Sequence, residues 1–130
     1  MIGGALEFAS DALKDDKDVL LAAVEVKGWV LCYASENLQA DKDVVLKAAQ
    51  RDGQILYYAS QKLRDDKDVV MAAVNNKGII LKYASQRLRA DKDVAIAAIK
   101  QNKSSLSYVA DEIKNDEDIQ NIINPPVEDK

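Results

Sequence analysis

The chain has no histidine among its 130 residues. That removes both the commonest general base near neutral pH and the commonest metal ligand. A single cysteine, Cys32, excludes an internal disulfide and fits a reducing compartment. Aromatic residues make up only 5% of the chain, so Ala, Leu and Val carry most of the 48% apolar content. No stretch approaches the ~20 apolar residues that span a bilayer, and Met1-Ile2-Gly3-Gly4 lacks the basic and apolar regions of a signal peptide. The expected residence is cytoplasmic, with no membrane partner. The two prolines are adjacent, at Pro125-Pro126, and forbid helix continuation there.

What is present is a strict period. Gly3, Gly28, Gly53 and Gly78 recur every 25 residues, and Lys103 takes the fifth place. In step with them run Leu6, Leu31, Leu56, Leu81 and Leu106, then Phe8, Tyr33, Tyr58, Tyr83 and Tyr108. Asp16, Asp41, Asp66, Asp91 and Asp116 follow, each with a second acid two residues on. No insertion interrupts the series. Periods of this length mark stacked repeat architectures, and the units run over 3–27, 28–52, 53–77, 78–102 and 103–124. Period-2 alternation is absent. The predicted fold is all-α, an α/α solenoid of five helical-hairpin repeats in one domain, residues 1–124, followed by a frayed tail over 125–130.

Within a unit the spacing predicts a first helix over Trp29–Leu38, with Val30, Leu31, Ala34 and Leu38 on one apolar stripe. A turn at Gln39-Ala40 leads to Asp41, placed to cap the next helix, and Asp43 lies favourably against that helix dipole. The second helix is expected over Lys42–Asp52, ending at Gly53 in a left-handed C′ conformation. Its apolar residues, such as the run from Val19 to Val24, wrap most of the way round, so second helices are expected inside the stack and first helices outside. Helices of ten or eleven residues are marginal alone, and stacking must stabilise them. The last unit, with Lys103, Val109-Ala110, Gln120 and Asn121, reads as a C-terminal cap. The first unit shows no comparable polar cap, which leaves open an association through that end.

A search for chemistry returns little. Asp15, Asp16 and Asp18 resemble the opening of a calcium loop, but the places that need glycine and glutamate hold Leu21 and Lys27. Tyr58 and Lys62 have the Tyr-x-x-x-Lys spacing of some dehydrogenases, without the glycine-rich loop or strand it requires. An i,i+4 pair, with Lys62 or Arg87 near a ring, explains it. Ser10, Ser35, Ser60 and Ser85 lack any base and are read as small packing residues. Cys32 occupies a place of varied residue type and is read as exposed. No catalytic, metal or cofactor residue is assigned, and the chain is expected not to be an enzyme.

The run G-x-x-L-x-Y-A-S-x-x-L-x-x-D-K-x-V-V-x-x-A-V, clearest at 53–74 and 78–99, near at 3–24 and 28–49 and loose at 103–124, resembles a tandem-repeat domain of unknown function found in large bacterial and protist proteins. The resemblance implies a part of a larger protein and brings no activity or site residues with it.

Residues that differ from unit to unit are candidates for recognition. On the outer face of the first helices these are Cys32, Glu36 and Gln39, then Tyr57, Gln61 and Arg64, then Lys82, Gln86 and Arg89. Trp29 and Ile79 stand at a further variable place. The candidate partner-binding set is therefore Trp29, Tyr57, Gln61, Arg64, Ile79, Lys82, Gln86 and Arg89. The alternative reading is that these side chains are simply solvated. Net charge is −4, but residues 51–100 hold 10 basic and 6 acidic side chains, a basic island between acidic ends. The leading expectation is a non-catalytic protein-interaction scaffold whose partner is a protein or peptide with acidic and apolar features. The alternatives are a nucleic-acid-binding repeat using the basic island, which the overall acidity disfavours, and a regulatory or targeting segment of an enzyme whose catalytic domain lies elsewhere.

Overall fold

A computed structural model describes residues 16–127. The predictions that fall on residues 1–15, including the first half of the first repeat, and on residues 128–130 lie outside the described residues. Among the described residues every regular element is helical.

Each repeat contributes one long helix. Four have ten residues, Lys17–Val26, Lys42–Arg51, Lys67–Asn76 and Lys92–Gln101, and the fifth, Glu117–Ile123, has seven. All five begin where the aspartates predict. Asp41, for example, accepts from the Asp43 and Val44 N–H groups at 3.0 and 3.3 Å, and Asp16, Asp66, Asp91 and Asp116 act alike. Satisfying these otherwise unpaired donors fixes where each helix starts.

The predicted first helix is broken. Gly28–Tyr33, Gly53–Tyr58 and Gly78–Tyr83 are 3₁₀ turns, followed by one-turn α-helices Glu36–Gln39, Gln61–Arg64 and Gln86–Arg89. The Ala-Ser pair makes the break. Ala34 and Ser35 are extended, with ψ of 158° and 160°, and Ser35, Ser60 and Ser85 each accept from the N–H three residues on, at 3.3, 3.3 and 3.2 Å. Serine thus serves as an N-cap rather than as a packing residue. Ala110 lacks the hydroxyl, and the fifth repeat forms only a short 3₁₀ turn, Asp111–Ile113.

Successive long helices pack side by side in one layer, and successive 3₁₀ turns pack in a second. The turn Gly53–Tyr58 wedges between the long helices before and after it. Between the layers lies one core, with Val44, Val45, Ala48 and Ala49 from a long helix and Ile55, Leu56 and Leu63 from the facing elements. The long helices are not enveloped as expected. Lys42, Asp43, Gln50 and Arg51 are exposed, and so is Ala22 inside the Val19–Val24 run. A single layer of long helices has no third layer to cover its outer face.

The repeating glycine has a different cause from the one predicted. No described residue has a positive φ, so none of the described helices ends in a left-handed cap. A Cβ on Gly28 would lie 2.8 Å from the Ala48 carbonyl oxygen, and on Gly53 and Gly78 it would collide with the carbonyls of Ala73 and Ala98. Glycine is needed for close approach to the next long helix. The Gly53 and Gly78 N–H groups donate to the Asn76 and Gln101 side chains, at 2.8 and 2.5 Å. At the last boundary the covering helix is shorter, and Lys103 stands exposed.

Backbone bonds also join the repeats. The N–H groups of Ser60, Ser85 and Ala110 donate to the carbonyls of Gln39, Arg64 and Arg89 at 3.2, 3.1 and 3.0 Å. One core position is imperfect: Ser105 is fully buried where Val30, Ile55 and Ile80 stand in other repeats, and its Oγ has no partner. Leaving a buried hydroxyl unpaired costs on the order of 1 kcal/mol or more. Ser105→Ala is therefore expected to raise stability by about 1 kcal/mol, read as a higher urea midpoint with unchanged slope. A lower midpoint would mean that the hydroxyl is bonded.

Candidate interaction face

The 3₁₀ geometry decides which variable residues meet. With three residues per turn, positions i and i+3 eclipse one another. Trp29 falls in line with Cys32, Gln54 with Tyr57, and Ile79 with Lys82, and the inter-turn packing sets these pairs side by side as a ridge across the repeats. Trp29 is 37% exposed, Tyr57 51% and Tyr58 41%. Lys82 is exposed, whereas Ile79 and Cys32 are half-buried. Tyr57 meets Tyr58 and Tyr83 edge-on, with centroids 5.2 and 5.1 Å away, and Trp29 meets Tyr33 at 5.9 Å. Lys27 Nζ lies 5.8 Å from the Trp29 ring and Lys82 Nζ 5.1 Å from the Tyr83 ring. The cation over Tyr83 is Lys82 and not the predicted Arg87, which reaches Asp65 at 2.9 Å instead.

Gln61, Arg64, Gln86 and Arg89 belong to the short helices, beyond the break. Gln61 and Gln86 are exposed. Arg64 folds back to donate to the Ala59 and Tyr57 carbonyls, both at 3.1 Å, and Arg89 donates to the Tyr108 carbonyl at 2.7 Å. Both arginines therefore hold the 3₁₀ turns in place. A cleft of about 580 Å³ lies between repeats two and three, where Glu36 and Gln39 face Tyr58, Gln61 and Arg64. The equivalent place between repeats four and five, at Gln86, Arg89, Ser107 and Asp111, holds about 360 Å³. Between repeats three and four, Arg87 and Ser85 reach across to the Asp65 carboxylate, Ser85 Oγ at 2.5 Å. Ser85, and after it Arg87, hold the Asp65 carboxyl below its usual range against the effect of burial.

The opposite edge carries a feature that the sequence reasoning missed. Lys17 bridges Asp41 and Asp43, Lys42 bridges Asp66 and Asp68, Lys67 bridges Asp91 and Asp93, and Lys92 bridges Asp116 and Asp118. This ladder ties each helix start to the next. Its signal was the Lys between the two recurring acids, constant in the first four units. Hydrogen bonds donated to the two carboxylates raise each of these lysine pKa values. Burial works against ionisation of Asp66, but the Val69 N–H and then Lys42 outweigh it and hold the carboxyl below its usual range. Asp91 is held down in the same manner by the Val94 N–H and Lys67.

Three stretches of the chain, 2–39, 41–89 and 91–120, match a family described as a domain of unknown function, DUF4116. The chain belongs to this family. The DUF4116 matches break at Ala40 and Ala90, each the residue before a capping aspartate, so the middle match opens on a long helix and closes on a short one. No curated protein and no solved structure matches the chain. No helix among the described residues is long and apolar enough to cross a membrane.

Proposed function

We propose that this DUF4116 array is a non-catalytic protein-interaction module of a larger protein, and that it binds through the ridge of 3₁₀ turns. The supporting observation is the exposure of Trp29, Tyr57 and Tyr58 on turns whose Leu31, Leu56 and Leu81 are fully buried. Large aromatic side chains present much contact area at low cost in conformational entropy, and Trp and Tyr are enriched where binding energy concentrates. Lys27 and Lys82 border them with no carboxylate in ion-pair distance among the described residues. The partner that fits is a protein or peptide segment carrying acidic and apolar side chains.

The basic island offers less to nucleic acid than its composition suggests. Arg51, Lys67, Arg87 and Lys92 are paired with carboxylates, and Arg64 and Arg89 with backbone carbonyls.

Selection of displayed peptides on the intact protein tests the proposal. Acidic, apolar peptides are expected to emerge, and Tyr57→Ala with Lys82→Glu should weaken them by about thirtyfold, the loss of roughly 2 kcal/mol typical of a central anchor. The helical circular dichroism should stay unchanged. Peptides that bind the double variant equally well would refute the placement.

A further inference from the structure

The outer face of the long-helix layer carries an apolar line of its own. Leu21, Leu46, Met71 and Ile96 hold the same place in successive long helices, each half-buried against the core. The next place holds Ala22, Lys47, Ala72 and Ala97. Lys47 bridges back to Glu25 and lays charge across the first inter-helix groove. Between Lys67–Asn76 and Lys92–Gln101 the floor is uncharged, and Met71, Ile96 and Ala97 line a groove of about 710 Å³. Lys67 and Asp93 stand at one end of it and Lys100 at the other. The two flanking helices run in the same direction. Lys67 joins their first turns through Asp91 and Asp93, and at their last turns Gln101 Nε2 donates to the Asn76 carbonyl at 3.4 Å. The ladder end is negative, because each repeat supplies two aspartates and one lysine to it. The far end is positive: Lys100 is exposed and has no carboxylate in ion-pair distance among the described residues.

We propose that this groove binds an amphipathic helix of a partner protein, laid antiparallel to the two long helices, with an acidic first turn and a basic last turn. The groove belongs to the other layer from the 3₁₀ ridge, and the proposal does not rest on binding there. Apolar side chains at i, i+3, i+4 and i+7 of such a helix would cover Met71, Ile96 and Ala97. The antiparallel direction brings its acidic turn to Lys100 and its basic turn to Asp93. It also opposes its dipole to those of the two long helices, and each of its own ends then carries the charge that suits it. Long helices have no free backbone groups along their middles, so an extended segment would find no main-chain partners there, whereas a helix satisfies its own. The groove is shallow and open, unlike the sites that enclose small molecules. Packing on the core accounts for the recurring apolar residues, but it does not ask for opposite charges at the two ends of one groove.

Selection from a display library of helical peptides of about 15 residues, apolar at i, i+3, i+4 and i+7 and random elsewhere, tests this on the full chain. Enriched peptides are expected to carry Asp or Glu in the first turn and Lys or Arg in the last. Ala97→Glu, with helical circular dichroism unchanged, should weaken a selected peptide by about tenfold or more, because it puts a charge into the apolar floor. Lys100→Gln, at an exposed site, should weaken it about threefold, and should not affect the same peptide with its first-turn acids replaced by amides, the non-additivity expected of a direct pair. Tyr57→Ala with Lys82→Glu should leave this binding unchanged, which separates the groove from the 3₁₀ ridge. Failure to enrich any helical peptide, enrichment of the opposite charge order, peptides indifferent to either Ala97→Glu or Lys100→Gln, or loss of binding in the ridge variant would each overturn the proposal. So would dimerisation of the unaltered protein that Ala97→Glu abolishes, since the occupant would then be a second copy.

Discussion

Gly53→Ala is expected to lower the stability of the array by about 3 kcal/mol, the upper part of the range for forcing a methyl group into filled space. For a domain of this size that is a fall of roughly 10 °C in unfolding midpoint. The new Cβ would run into the Ala73 carbonyl oxygen, with the Ala73 carbonyl carbon and the Lys77 Cβ both at 3.3 Å. These are backbone and near-backbone atoms, so relief requires the next long helix to move away. The conformation itself raises no objection to alanine, because φ is negative. Gly78→Ala should behave alike, and Gly28→Ala should cost less, since its nearest contact is 2.8 Å. Thermal unfolding followed by circular dichroism measures all three. An unchanged midpoint for Gly53→Ala would mean that the repeats are not in close contact at this point.

Replacing Asp41, Asp66 and Asp91 together by Ala should cost a similar amount. Each caps a long helix, worth about 1 kcal/mol, and the three sites share no partner, so roughly 3 kcal/mol is expected in sum. Replacement by Asn keeps the cap and removes the charge, so the Asn variant should retain most of the stability and become less sensitive to salt. The same aspartates set the acid limb of stability. Their folded-state pKa values lie below the ordinary 3.8. The contribution is therefore complete above about pH 3.8 and is lost as pH falls through the depressed values. The ladder lysines lie above 10.5 when folded. Their contribution is complete below that value and lost as pH rises through the raised ones. With no histidine to titrate in between, urea midpoints should be nearly flat from about pH 5 to 9 and fall at both extremes. A maximum near neutrality with steep flanks would contradict this assignment.

The parts of the fold that the sequence made legible are those set by one local rule. Aspartate as a cap needs only its own helix, and all five long helices start as expected. The break at Ala34-Ser35 was hidden, because Val30, Leu31, Ala34 and Leu38 fit a continuous helical stripe just as well. The clue was a serine three residues before a recurring leucine, which is N-cap spacing. The glycine was misassigned for a related reason: its position after a helix suits a left-handed cap, and only the approach of the next repeat reveals its steric role. The Lys–Asp ladder spans residues 24 to 26 apart and could be read only by laying one repeat against the next. Among the candidate contact residues, Tyr57 and Lys82 stand exposed on the ridge, whereas Arg64 and Arg89 serve the backbone. Composition cannot tell an arginine that faces solvent from one that folds back on a carbonyl.

Residue-resolved amide exchange by NMR tests the stacking most directly. The N–H groups of Ser60, Ser85 and Ala110 donate to the preceding repeat, so they should exchange only through the largest opening of the array. Gln61 and Gln86 open the short helices, where no intrahelical acceptor exists, and should exchange quickly. Slow exchange at Gln61 and Gln86 would mean one continuous helix per unit, and fast exchange at Ser60 and Ser85 would mean no backbone link between repeats.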